Sequence, residues 1–462
     1  LQSKGGGEVE AARTASPTVV ANQLNAELVV TGEYYRRGEE LEVVAHIVAP
    51  AQERTLYDLQ GARGDLEDPM GAFDVLAQQV AGAVANLYQL NWTPTPERYS
   101  PPPSLEVFRM YSEAANLFAT DRQADAVALS KRISQRDTTW LSHLLLQAAG
   151  LANARHLREA DSIYRYLDVR RDRLTRFEQA MLDWSWAWDQ ADMEGEVRAA
   201  REMASLDPVG AAYNAALSCS RANRLEEALE HLSHRDTTSI WGGWGDNLMY
   251  SALVRLGRLD EALVWVREKR AASPTSWTYL GREIRLLAAM GRSADVEALL
   301  EEARNVASTS TSSPAELMRL AAEVAAGTGH REDAARYAEL ALEEATRLPG
   351  DTRLLRAEAL AYAERWEEAE PLMREILSED TESWDREDYM ARLGYMGRIL
   401  ASQGKRGEAS AMRDRLAALE LEFYYPGVRL GWMASISTAL GEHDRAIREL
   451  REAVRTGQAF GY

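Results

Sequence analysis

His234-Arg235-Asp236 is the one triplet in this 462-residue chain that spells a phosphoryl-transfer catalytic loop, and its surroundings do not support that chemistry. A kinase loop needs an Asn five residues after the Asp to hold a second Mg²⁺, and Trp241 stands there instead. No glycine loop followed by a V-A-I-K lysine, and no D-F-G, accompanies it. A Walker loop, a G-x-G-x-x-G turn, an H-E-x-x-H pair and a G-x-S-x-G elbow are also missing. The seven His are scattered without ligand spacing, and Cys219 is alone, which excludes an internal disulfide and a thiolate metal cluster. Cys219 lies in an Ala- and Leu-rich helical stretch and is expected to act as a small buried hydrophobe. The paired acids Glu226-Glu227, Glu343-Glu344 and Glu367-Glu368 fall on predicted outer helix faces, where solvated charge is expected rather than acid–base work. These residues imply no catalytic centre, no cofactor and no metal.

Aromatic residues say more. Asp183-Trp184-Ser185-Trp186-Ala187-Trp188 sets three indoles on alternate positions of a predicted helix, so they cannot share a face. At least one must be exposed or lie between neighbouring elements. In Trp241-Gly242-Gly243-Trp244-Gly245, glycines flank two large amphipathic rings, a pattern suited to a contact loop. Asn91-Trp92-Thr93 matches the N-glycosylation pattern, which is common by chance.

Composition bounds what these side chains can serve. A formal net charge of −19 argues against a protein devoted to the phosphate backbone of nucleic acid. Lysine is confined to Lys4, Lys131, Lys269 and Lys405, so nearly all positive charge is arginine, the side chain suited to bidentate anion contacts. No run approaches the roughly 18 apolar residues needed to cross a bilayer.

The elements that position these residues are helix pairs. Gly257-Arg258-Leu259-Asp260-Glu261-Ala262 reads as a helix ending near Gly257, a tight turn, and a second helix through Val266 and Lys269 to a stop at Pro274. With Ala262 as the mark, equivalent positions are Ala126, Ala160, Glu196, Ala228, Val296, Ala334, Ala369, Ala409 and Ala446. Successive marks are separated by 32 to 40 residues, by subtraction, which is the period of a two-helix repeat. Asn223-Arg224, Gly329-His330, Gly404-Lys405 and Gly441-Glu442 supply turn chemistry ahead of their marks. The segment 307–314 (A-S-T-S-T-S-S-P) is expected to be a loop whose following helix is capped by Ser312 or Ser313.

Residues 17 to 90 follow another rhythm. A short helix from Thr18 to Leu24 leads into a β-rich segment, Glu27 to Tyr35; Arg36 to Glu40 turns; Leu41 to Val48 returns as a strand, and Arg54 to Leu59 can form a third. Asp68-Pro69 then opens an amphipathic helix through Phe73, Leu76, Val80, Val84 and Leu87. Pro94, Pro96 and Pro101-Pro102-Pro103 make an extended connector.

The stretch Leu256-Gly257-Arg258-Leu259-Asp260-Glu261-Ala262 with Pro274 resembles the second half of the tetratricopeptide repeat (TPR) motif, and the resemblance covers roughly residues 104 to 462. It departs at Glu196 and Val296. The segment Ala21 to Tyr34, with its turn and the strand from Val43 to Pro50, resembles the TolB-like domain that precedes TPR arrays in bacterial signalling proteins. Together these imply a mainly α fold: residues 1–92 as an α/β layer lacking its first strand and helix, 93–103 as linker, and 104–462 as a TPR-type α-solenoid of about ten helix-turn-helix repeats. The missing strand and helix imply a longer polypeptide upstream, which in relatives carries a Ser/Thr kinase, a nucleotide cyclase or a DNA-binding domain.

In TPR proteins the first helix of each pair supplies the ligand contacts. Counted back from the marks, those positions here are Tyr213, Asn214 and Arg221, then Trp244, Asn247, Ser251 and Arg255, then Arg282 and Arg285. Trp244, Asn247, Ser251 and Arg255 are spaced by 3, 4 and 4 along one helix face. Such a groove suits a protein or peptide partner with an acidic or carboxylate-bearing segment. It resembles only loosely the carboxylate clamp of chaperone-binding TPRs. The expectation is thus a non-catalytic scaffold or sensor module. An architectural subunit, or the extracytoplasmic ligand-sensing region of a membrane-bound kinase or cyclase, are the alternatives.

Overall fold

The architecture follows from the two hydrophobic rhythms of the sequence. A computed structural model of the chain describes residues 16–52, 54–59, 61–87, 100–235, 244–306, 313–379, 386–419 and 426–456. Asn91-Trp92-Thr93, Trp241 and Ser312, singled out in the sequence, lie outside those residues.

Helix α1 (Pro17–Leu24) precedes β1 (Val29–Arg37), β2 (Glu40–Ala49), β3 (Arg54–Asp58) and β4 (Ala62–Asp65), and α2 (Pro69–Leu87) follows. The hairpin β1–β2 turns on two residues, pairing Arg37 with Glu40, and Gly38 takes φ 68°, the left-handed value such turns require. β2 is the central strand: β1 pairs along one edge, while β3 and β4 pair antiparallel along successive parts of the other. Its residues alternate, so Leu41, Val43, Ala45, Ile47 and Ala49 are buried. α2 covers that side with Ala72, Leu76, Val80, Ala83 and Leu87. The order helix, three strands, helix omitted β4, a four-residue A-R-G-D strand whose composition carries no β signal and whose pairing comes from the length of β2.

Among the described residues ten helix pairs follow. They are α3 (Leu105–Ala119) with α4 (Gln123–Arg136), α5 (Ser142–Asn153) with α6 (Leu157–Asp168), and α7 (Arg176–Asp189) with α8 (Met193–Leu206). Next come α9 (Ala212–Arg221) with α10 (Leu225–Ser233), α11 (Trp244–Arg255) with α12 (Leu259–Ala272), and α13 (Trp277–Ala289) with α14 (Ser293–Ala303). The last are α15 (Pro314–Gly327) with α16 (Arg331–Ala345), α17 (Arg353–Tyr362) with α18 (Trp366–Ser378), α19 (Arg386–Ser402) with α20 (Arg406–Ala417), and α21 (Pro426–Ala439) with α22 (His443–Arg455). The chain is therefore mainly α, a TPR-type α-solenoid preceded by a small α/β layer.

Every mark falls on the fourth residue of the second helix, and none is more than 3% exposed. Five residues before each mark stands a left-handed residue: Asp121, Arg155, Ala191, Asn223, Gly257, Gly291, Gly329, Glu364, Gly404 and Gly441. In each turn the next amide bonds back to a carbonyl five residues earlier, as Arg258 does to Leu253 at 2.9 Å. Only half of these residues are glycine, and a side chain there costs about 1–2 kcal/mol. Ala191→Gly is therefore expected to raise stability by about 0.5–1 kcal/mol, less than the full strain because glycine also loosens the unfolded chain. Gly257→Ala, with open space around the position, should cost about 1 kcal/mol. Urea titration of the two variants reads both signs.

Ser313 caps α15 by accepting from the Glu316 amide at 3.2 Å, with Pro314 at the first helical position. Cys219 is fully buried. Trp186 is the indole that lies between pairs: it stacks on Tyr164 of α6 at 6.2 Å and donates to Asp161 at 3.1 Å, while Trp184 and Trp188 face each other at 5.6 Å. Glu344 corrects one expectation. It is 9% exposed, not on a solvated face, because Arg304 (3.3 Å) and Arg347 (2.5 Å) close over it.

The chain forms two compact units, Leu1–Ala215 with His231–Gly245, and Ala216–Glu230 with Asp246–Tyr462. In the first, α2 runs against the start of α3, and a Cβ on Gly82 would lie 2.8 Å from the Ser104 carbonyl carbon. The described end of the connector is held there as well. Trp140 Nε1 donates to the Ser100 carbonyl at 3.0 Å, and the fully buried Glu178 accepts from the Ser100 amide (3.1 Å) and hydroxyl (2.9 Å). In the second unit the Asn223 amide donates to the Val454 carbonyl at 3.2 Å, joining residues 231 apart.

Candidate functional site

In the second unit, buried polar and aromatic side chains collect on the first helices beside the aliphatic core. The core there is made by the marks together with residues such as Leu280, Ile284 and Leu287. On α11 and α13 the remaining positions carry polar and aromatic groups. Asp246, 6% exposed, accepts from Lys269 Nζ at 3.0 Å and from the Tyr279 hydroxyl at 2.7 Å. Tyr279 meets Trp265 edge-on at 6.3 Å, and Lys269 lies 5.5 Å from that indole.

Arg282 is the centre of this group. It is 8% exposed, its guanidinium carbon is 5.1 Å from the Tyr250 ring and 5.4 Å from the Tyr279 ring, and its Nη2 donates to Asn247 Oδ1. Burial makes its guanidinium easier to deprotonate than usual, against the opposing pull of Tyr279, Tyr250 and Asp246; neighbouring Arg285 adds to the lowering. Burial raises the Tyr250 phenol, and Arg285 and Arg282 oppose that rise.

Of the expected groove residues, the structure brings Asn247, Arg282 and Arg285 together around Tyr250, with Ser251 half-buried on the same helix. Arg255 is spent elsewhere. It donates to the Ser220 carbonyl (3.2 Å) and hydroxyl (3.0 Å) and to Asn223, tying α11 to the preceding pair. Tyr213 and Asn214 belong to the first unit and are half-buried, Tyr213 with its phenol raised by burial; Arg221 is half-buried in the second. Trp244 begins α11, and its side chain lies outside the described part.

A second cluster on the first helices went unread in the sequence. Arg319, with a side chain 9% exposed, pairs with Glu316 (2.6 Å), Glu323 (3.0 Å) and Glu358 (3.2 Å). Burial, more than the attraction of Arg319 lowers it, lifts the Glu358 carboxyl to about 7, and repulsion from Glu316 and Glu323 adds to the rise. Beside it the Tyr362 and Tyr395 hydroxyls share a hydrogen bond at 2.9 Å, and Tyr395 packs on Trp432 at 5.2 Å. The Arg398 guanidinium lies 5.8 Å and 5.9 Å from the two tyrosine rings. The signal that could have found this cluster is the same count back from the marks, extended beyond the three central repeats.

No described protein family and no curated protein matches the sequence. Among solved structures, the chain is similar to a tetratricopeptide repeat protein from Parabacteroides merdae, at 14% identity and TM-score 0.35, over 56% of this chain and 98% of that one. It is similar to the apo form of RapI at 11% identity and TM-score 0.41, over 76% of this chain and 97% of the other. The apo form of the quorum sensor NprR from B. thuringiensis gives 13% identity and TM-score 0.39, over 76% and 99%.

Proposed function

We propose that the chain is a non-catalytic docking module which seats a protein or peptide segment on the first helices of its second unit. One observation carries the reading. From Tyr250 through Arg282, Glu323 and Arg398 to Trp432, six successive first helices (α11, α13, α15, α17, α19 and α21) place arginine, glutamate, tyrosine or tryptophan along one edge of the aliphatic core, with Tyr250, Tyr362 and Tyr395 packed into it and Trp432 against it. Aromatic and arginine side chains on rigid helices give contact area at little ordering cost, the composition found at interface hot spots. In this reading the α/β layer and the array form the docking arm of a larger bacterial signalling protein, as the resemblance to TolB-like and TPR segments implies.

Photo-crosslinking tests it. A benzophenone amino acid at Ser251, Glu323 or Arg398 should trap one defined polypeptide, whereas the same group at Val264, 60% exposed on a second helix, should not. Equal trapping from both faces would sink the proposal. A second reading, an architectural subunit, has its own observation: Ile447, Leu450 and Val454 are 47%, 38% and 42% exposed at spacings of 3 and 4 along α22. Crosslinking from Leu450 that joins two copies of the chain would favour it.

A further inference from the structure

Arg282 presents a buried charge whose hydrogen bonding is incomplete. Buried cations are normally matched by a carboxylate, since removing a guanidinium from water without a partner is costly. Arg282 has no carboxylate within ion-pair distance among the described residues, and Asp246, which acts on it electrostatically, is hydrogen-bonded to Lys269 and Tyr279. Its Nη1 is buried without an acceptor, and so is the hydroxyl of Tyr250, itself only 8% exposed. Nη2 is the part of the fork that is satisfied, and its acceptor is the amide oxygen of Asn247, an exposed side chain. An amide is the neutral counterpart of a carboxylate in size and shape. Arg285 adds positive potential at the same place.

The geometry points to a carboxylate seat: an incoming carboxylate displaces the exposed Asn247 side chain and accepts from Nη1 and Nη2 of Arg282 as a bidentate pair, with the Tyr250 hydroxyl as a third donor. The inference rests on the docking reading and deepens it, because it specifies the chemical group that the α11–α13 part of the surface selects. The source is an acidic side chain or terminal carboxylate of the docked segment.

Asn247→Asp tests this inference most directly, because it supplies the carboxylate from within the chain. The variant should melt at a higher temperature than the parent and lose its preference for acidic ligands. Calorimetric titration uses a glutamate-rich peptide, its glutamine counterpart, and sodium glutarate against sodium chloride at equal ionic strength. The parent protein should bind the glutamate peptide about tenfold or more tightly than the glutamine one. Arg282→Gln should reduce the two to equality. Binding of glutarate as tight as that of the peptide would keep the seat and make its source a free carboxylate. Equal binding of both peptides to the parent, or an Asn247→Asp protein that melts no higher, overturns the seat. Because the crosslinks from Ser251, Glu323 and Arg398 do not depend on this discrimination, their persistence would confine the failure to the seat.

Discussion

Arg319→Ala should lower stability by about 3–5 kcal/mol at pH 7.5, the cost expected when one partner of a buried ionic group is removed and the others stay behind. Three carboxylates, Glu316, Glu323 and Glu358, are left without the guanidinium that now bonds all of them. The loss should shrink in acid. The Glu358 carboxyl sits at about 7 in the folded protein, above its ordinary 4.5, so the folded chain holds this proton more tightly than the unfolded chain does. Its stabilising contribution is complete below about 4.5 and is lost as pH rises through about 7. Removing Arg319 takes away the main influence that lowers this carboxyl, so the variant should be protonated there over an even wider range. Urea titrations of both proteins at pH 5.5 and 7.5 measure the difference. A deficit as large at pH 5.5 as at 7.5 would mean that Glu358 does not carry the effect.

Glu178→Ala is the second large expectation. Glu178 is fully buried and accepts from the Thr175 amide (2.8 Å), from the Ser100 amide and hydroxyl, and from the Ser142 hydroxyl. It also completes a capping box with Thr175 at the start of α7. Truncation removes a helix cap and strands several buried donors at once, for a cost of about 3–5 kcal/mol. Hydrogen exchange gives a local readout. The Ser100 amide should lose protection in the variant, and unchanged protection there would mean that Glu178 does not hold the connector. Glu178→Gln keeps the shape but exchanges one acceptor oxygen for a donor, so it should fall between the two.

The repeat marks, the helix-pair turns and the existence of the β1–β2 hairpin were legible because each is a local rule, although the hairpin turn is two residues long and not the five from Arg36 to Glu40. A small residue at the closest approach of two helices and a left-handed residue at the turn leave their trace within a few positions of the chain. Even Glu196, which breaks the small-residue rule, sits buried at its expected place. The polar sites were less legible for a physical reason. Whether Glu344 is solvated or closed over is decided by Arg304, forty residues away in the preceding pair, and whether Arg255 is available is decided by Ser220 and Asn223. Counting back from the marks identifies the helix and the face; it does not reveal what the neighbouring pair already occupies. β4 was missed for the same reason, since its partner β2 creates it.

Stacked helix pairs usually touch only their neighbours, so each pair opens with little regard to pairs farther along the stack. The bond from Asn223 to the Val454 carbonyl alters that independence. Asn223 already occupies the left-handed turn position between α9 and α10, and it accepts from Arg255 as well. The end of α22 is thereby fastened to the fourth pair, and opening of the tenth pair must break a contact that bridges the five pairs between them. Amides of α22 should then exchange in step with those of the α9–α10 turn, as one cooperative opening, instead of independently of it.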